Sequence, residues 1–219
     1  VAQKVKRLPP KDAASVGLDK SGSATKPLTD CTEDSRIWRK FHHIYEKNLI
    51  DGKMIHSLSD RFSNEFQIQI EQIATSDWTT TGINSLLQHI MFQASTRTLA
   101  GPRVFEIDPH FEEHFWKYDN SFMSLLYGFP RFLCREGWDA RDRTLETVKQ
   151  YLEKAWNNID WKSCHDEDPD WDRNFGSKLV REREEAMEQY GISLQGRASF
   201  QMGLIWSYVQ ISPVERMGH

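Results

Sequence analysis

"DPHFEEHFWKYDNSFMSLLYGFPRFL", residues 108–133, fixes the reading of the whole chain. Phe111, Phe115, Tyr118, Phe122, Leu125 and Leu126 recur at steps of three and four, which puts them on one stripe of a helix. Asp108 suits a cap, and Pro109 suits the first helical position, where its missing N–H had no partner. Gly128 supplies a left-handed stop and Pro130 prevents resumption. The corner itself, "LLYGFPRFL" at 125–133, is apolar almost throughout, although a corner is usually where a chain meets water. Phe122 and Leu126 fit two readings: they face an apolar ligand, or they pack helix against helix.

Working outward, the spacing predicts helices on both sides. Ile37, Phe41, Ile44 and Tyr45 share a face up to the break at Asp51-Gly52. Ile55, Leu58, Phe62, Phe66, Ile70 and Ile73 recur at three and four and predict a long amphipathic helix over 53–74 that packs through Ile55, Phe62, Phe66 and Ile70. Ile83, Leu86, Leu87, Ile90 and Ala94 make another, stopping at Gly101-Pro102. After the corner, Arg141, Leu145, Val148, Leu152 and Trp156 continue helical spacing, and a charged helix over 178–190 stops at Gly191. The last helix, 194–212, carries Leu204, Ile205, Trp206, Tyr208 and Val209 with little polar face, so burial of Ile205 and Trp206 is expected. No alternating strand pattern of useful length and no repeat interrupts this. The expectation is an all-α chain with an irregular or mobile segment at 1–32, a helical domain at 33–213 and an aberrant tail at 214–219.

Composition bounds the function. The 219 residues suffice for one domain with a real core, and 38% hydrophobic with 27% charged residues is ordinary for a globular protein. A net charge of −4 provides no basic field for nucleic acid, so no nucleic-acid partner is expected. Cys31, Cys134 and Cys164 form no CxxC pair and no disulfide framework, which suggests a reducing compartment. No apolar run approaches the ~20 residues of a membrane span.

Three constellations invite chemical readings. "HFEEH" at 110–114 fits H-x-x-E-H, yet Phe111 and Phe115 hold the apolar stripe and no third ligand is nominated. His42-His43 are adjacent on a helix, so they point about 100° apart and chelate poorly. Cys164 neighbours Asp166, Glu167 and Asp168, which disfavour a thiolate. No metal site is expected, and no P-loop, G-x-G-x-x-G or G-x-S-x-G is present.

The stretches "STRTLAGPRVFEIDPHFEEHFWKYDNSFMSLLYGFPRFL" (95–133) and "ARDR" (140–143) together resemble the middle of a cytochrome P-450, a haem-thiolate monooxygenase of a divergent fungal branch. The carrying residues are Leu99-Ala100-Gly101, Pro109, Phe115-Trp116, Asp119, Gly128, Pro130, Phe132-Leu133 and Arg141-Asp142. The resemblance covers about 33–213 and implies a partial P-450 fold, from the helix before the haem crossing to the long distal helix. It implies that the corner is a lid over the substrate cavity, with Phe122, Leu126 and Phe129 facing the ligand. It also implies Gly203, Ser207 and Gln210 as distal-pocket residues, Gln210 standing with Pro213 where the branch often has Asn and Pro. Trp38 and His42 correspond to the pair that holds a haem propionate, although the second is commonly Arg in the family.

The resemblance further implies haem as cofactor, a hydrophobic small molecule as substrate (secondary metabolite, sterol or fatty acid) and a flavin reductase as partner. It places the parent family at the endoplasmic reticulum membrane. In the family a Glu-x-x-Arg helix and a cysteine-ligand loop lie beyond the distal helix, and neither follows that helix in these 219 residues. Without a thiolate the iron lacks the electron donation that favours O–O cleavage. The expectation is therefore a truncated central portion, inactive as this chain alone, on the cytoplasmic face or soluble. The alternative is a non-catalytic helical ligand-binding or interaction protein.

Overall fold

The computed structural model describes residues 7–50, 52–74, 82–158 and 167–210, without the side chains of Asp34, Ala74 and Gln210. In chain order the helices are α1 (Pro10–Leu18), α2 (Ile37–Tyr45), α3 (Gly52–Ala74), α4 (Ile83–Ala100), α5 (Arg103–Ile107), α6 (Phe111–Asn120), α7 (Phe122–Leu126), α8 (Arg135–Asn157), α9 (Lys178–Gln189) and α10 (Leu194–Gln210). A 3₁₀ turn, Glu33–Ser35, precedes α2, and a π-helical turn, Glu46–Ile50, follows it. Among the described residues the only sheet is an antiparallel ribbon of β1 (Trp171–Asp172) and β2 (Gly176–Ser177), with Trp171 opposite Ser177. The all-α expectation holds.

α8 is the hub. Its Ala140, Leu145, Val148, Tyr151, Leu152 and Ala155 are buried, and it packs on α5, α6, α7 and α10. α6 contributes Phe111, Phe115 and Tyr118, all buried, and Phe92 of α4 meets Phe115 with ring centroids 4.9 Å apart. The predicted stripe through 108–133 is real but bent: the helix breaks at Ser121 into α6 and α7. Asp108 lies outside the helix, where its Oδ1 accepts the His110 N–H at 3.0 Å. Gly128 has φ 75°, the left-handed turn that only glycine adopts without strain.

Two expectations are corrected. The segment 1–32 contains α1, because Leu8 and Val16 are buried and Asp12 binds the start of α10. That order comes from tertiary contacts, which a short segment without apolar periodicity does not announce. The tail 214–219, like Pro213 and Cys164, lies outside the described residues. The second correction concerns α3, which packs on α4 through Met54, Leu58, Glu65 and Gln69. Ile55 and Ile70 are exposed, and Phe62 and Phe66 are half-buried with ring centroids 5.9 Å apart. The polar face goes inward because its charges are matched. Glu65 takes a hydrogen bond from Arg61 at 2.5 Å, and the Arg61 guanidinium lies 3.8 Å over the Trp171 ring.

Candidate functional site

Trp38, Phe41, His42 and Tyr45 stand at i, i+3, i+4 and i+7 on α2, so they share one face. Phe200, Gly203, Leu204, Ser207 and Tyr208 repeat that spacing on α10. The two faces oppose each other across a cavity of about 670 Å³. Leu49 of the π turn and Arg183 of α9 complete the wall, and Gly22 and Ser23 form the rim. The lining is mainly aromatic and aliphatic with a few polar groups, the usual character of a small-molecule or cofactor site.

The polar groups are individually placed. The Arg183 guanidinium is buried, donating from Nε to Gln201 Oε1 at 3.4 Å, from Nη2 to the Phe200 carbonyl at 3.4 Å and from Nη1 to the Tyr45 hydroxyl. Burial holds its pKa below the usual arginine value, opposed by Tyr45 and Glu184. His42 is exposed on the rim, with Nε2 3.2 Å from Glu46. Ser207 donates to the Gly203 carbonyl at 2.8 Å. Burial raises the pKa of the Tyr208 phenol. Behind the wall, Glu184 is fully buried and accepts from Arg197 Nε at 2.7 Å and Trp156 Nε1 at 3.0 Å. Burial pushes its carboxyl up, while Arg197 pulls the other way.

Four residues nominated from the sequence thus meet in one cavity: Trp38, His42, Gly203 and Ser207. The other candidates lie elsewhere. Phe122 stacks on Trp206, with centroids 5.0 Å apart and planes 16° apart, on the far side of α10. Leu126 is half-buried against the core. Phe129 is exposed and does not line the cavity, its carbonyl accepting the Trp138 Nε1–H at 3.0 Å. Gln210 ends α10. Ile205 is buried as expected, whereas Trp206 is half-buried and donates to Asp119 Oδ1 at 2.6 Å.

The "HFEEH" residues diverge. Glu112 faces α4, taking His89 and Gln93 at 2.8 Å each, while His114 turns to Asp108 at 2.8 Å. Among the described residues no group of three or more His, Cys, Asp or Glu is placed to hold a metal ion. Cys31 is exposed, Cys134 precedes α8, and neither lines the cavity. No described helix is long and apolar enough to cross a membrane.

Arg183 was the residue that spacing missed. In "REREE" it looks like solvated charge. The available signal was its position on α9 in line with Val180 and Met187, both buried, so that a charge sits on an apolar stripe. A second cavity, of about 680 Å³, lies against α2 and is lined by Arg36, Arg39 and Lys40. Arg36 is committed there to the Ala24 and Thr25 carbonyls and to Glu33.

Known proteins give this geometry a context. Over 167 residues the chain is 25% identical to cytochrome P-450 monooxygenase calL of Penicillium decumbens, covering 75% of this chain and 31% of that one. Over 181 residues it is 24% identical to cytochrome P-450 monooxygenase efuG of Hormonema carpetanum, covering 80% and 32%. Over 173 residues it is 25% identical to cytochrome P-450 monooxygenase fsoE of Humicola fuscoatra, covering 75% and 29%. The matched region is about a third of the length of these relatives. No family model matches the sequence, and no solved structure matches it. The chain thus has its sequence affinity with the cytochrome P-450 superfamily, and its all-α architecture is consistent with part of a P-450 fold.

Proposed function

We propose that the chain forms part of a haem-dependent monooxygenase acting on a hydrophobic small molecule (a secondary metabolite, sterol or fatty acid), and that haem packs in the cavity between α2 and α10. The observation that carries this reading is the meeting of Trp38 and His42 with Gly203 and Ser207 around one cavity of about 670 Å³. Haem, when bound, supplies an iron centre for activating dioxygen toward an unactivated C–H bond. Phe41, Leu49, Phe200 and Leu204 exclude water from an apolar ligand, and Trp38 adds an indole ring to the cavity wall. Gly203 leaves room on α10, and the Ser207 hydroxyl retains lone pairs for a second hydrogen bond.

Monooxygenase chemistry also needs a thiolate ligand, and among the described residues neither Cys31 nor Cys134 lies at the cavity, which supports reading this chain as inactive by itself. That observation equally favours the second reading, a non-catalytic helical protein that binds an apolar ligand in the same cavity. In the complete enzyme, electrons would come from a flavin reductase. The exposed apolar side chains of Tyr127, Phe129, Phe132 and Leu133 support a membrane-facing corner, in keeping with the endoplasmic reticulum location of the parent family.

The test is haemin titration of the purified chain, followed by a reduced, carbon monoxide-bound difference spectrum. Haemin binding that is lost in Gly203→Trp, without a thiolate-type Soret band, is the expected result. Absence of haemin binding, or equal binding by Gly203→Trp, overturns the cavity assignment. A thiolate-type band overturns the claim of inactivity.

A further inference from the structure

Buried arginines in this protein come with a carboxylate. Arg36 has Glu33 at 2.8 Å, Arg141 has Asp142 at 2.5 Å and Arg181 has Asp172 at 3.5 Å. Arg183 is the exception: it is 3% exposed, and among the described residues no carboxylate lies within ion-pair distance. Glu184, whose charge acts on it, is bonded to Arg197. The Phe41 and Tyr45 rings lie 4.9 and 5.2 Å from the guanidinium, and they stabilise its charge without neutralising it. Three of its five N–H groups have acceptors, all neutral, which leaves two donors of the planar fork. A buried charge without a counter-ion is costly, so a site that retains one commonly pairs it with a ligand.

Arg183 also lines the cavity, whose described wall residues include no Asp or Glu. The other basic group among the described wall residues, His42, is exposed and turned to Glu46. The rest of the wall is largely apolar. We infer that this cavity takes a ligand carrying a carboxylate on an apolar body, and that Arg183 receives the carboxylate. The inference deepens the haem reading without depending on it alone, because a porphyrin propionate and a long-chain fatty acid share this chemistry. A bidentate guanidinium–carboxylate pair uses the two free donors and supplies the missing negative charge. The pair would restore to Arg183 the proton affinity that burial removes.

The experiment compares acids with neutral analogues on the 219-residue chain, read by quenching of tryptophan fluorescence, since Trp38 lines the cavity. The probes are haemin against haemin dimethyl ester, and palmitate against hexadecanol. At least one acid should bind about ten- to a hundredfold more tightly than its neutral partner, the range of a charge-assisted hydrogen bond. Arg183→Gln should abolish that preference, Arg183→Lys should restore part of it, and circular dichroism checks that the variants fold. If Arg183→Gln does not fold, the acid–neutral comparison on the unmodified chain decides. Equal binding of haemin and its diester, with no preference for palmitate, overturns the inference while leaving the haem cavity standing. Preference for palmitate without haemin binding keeps the inference and removes the haem reading. A preference that survives in a folded Arg183→Gln overturns the assignment to Arg183, and binding by no probe overturns both.

Discussion

Phe122 separates the two readings of the apolar corner. Its ring stacks on Trp206 at 5.0 Å, and Trp206 is tied to Asp119 at 2.6 Å, so the structure commits Phe122 to joining α7 and α10. Phe→Ala in a full core costs ~3–5 kcal/mol; Phe122 is half-buried, so the area part is about 2 kcal/mol. Ring–ring contact adds about 0.5–1.5 kcal/mol beyond area. Phe122→Ala should therefore destabilise by roughly 2.5–3.5 kcal/mol in urea unfolding, with an unchanged denaturant slope. A cycle with Trp206→Leu isolates the ring term, because the lost Asp119 bond is common to both arms and cancels. The coupling should be about 0.5–1.5 kcal/mol. A coupling under about 0.3 kcal/mol, with Phe122→Ala costing under ~0.5, would show that the ring is not held by α10 and is free to face a ligand.

Other consequences are open to measurement. Asp12→Ala removes the acceptor of the Ser193 N–H and hydroxyl at the start of α10, and should lower stability by about 1–2 kcal/mol in a thermal melt checked against urea; no change would detach α1 from the fold. Burial raises Tyr118 from 10.0 to about 12. The folded state thus holds its proton more tightly than the unfolded state, and stability falls as pH rises from about 10 to about 12, by up to ~1.4 kcal/mol per pH unit. Tyr118→Phe should flatten that alkaline slope, and an equally steep slope in the variant would contradict the assignment. In Gly137→Ala the new Cβ would lie 2.3 Å from Ser121 Cβ, so a cost of about 1–3 kcal/mol is expected; a neutral result would mean that the α6–α7 junction yields freely.

What the sequence made legible follows from where contacts are made. α8 was readable because Leu145, Val148 and Leu152 bury against partners on several sides, so apolar spacing and burial coincide. α3 misled because period counting ranks hydrophobicity. It cannot see that Glu65 is matched to Arg61, or that Arg61 is stacked on Trp171 from more than a hundred residues away. α1 was invisible for a related reason, since its order rests on Val16 and on Asp12 at the start of α10. At the cavity, family resemblance supplied Trp38, His42, Gly203 and Ser207, while the helical spacing supplied their neighbours Phe41 and Tyr45. Neither supplied Arg183, because within "REREE" a charge reads as solvated, and its alignment with Val180 and Met187 gains meaning only once α9 is set beside α2 and α10.

The nearly all-apolar character of α10 has a specific cause. A helix with one wet face needs only one apolar stripe, whereas α10 has work on two sides. Trp206 meets Phe122 and Asp119 on one side, and Gly203, Leu204 and Ser207 line the cavity on the other. Ile205 and Met202 fill the core between them. The helix is therefore the partition between the corner and the cavity. Asp12 and Ser193 hold its first turn, with the Ser193 hydroxyl accepting the Gly196 N–H at 3.2 Å. A Cβ on residue 196 would lie 2.3 Å from the Asp12 carboxylate, so this anchor also requires the glycine. α1, which the sequence left without structure, thus belongs to the apparatus that positions the cavity wall. Loosening it should displace Gly203 and Ser207 together, because both ride on one rigid helix.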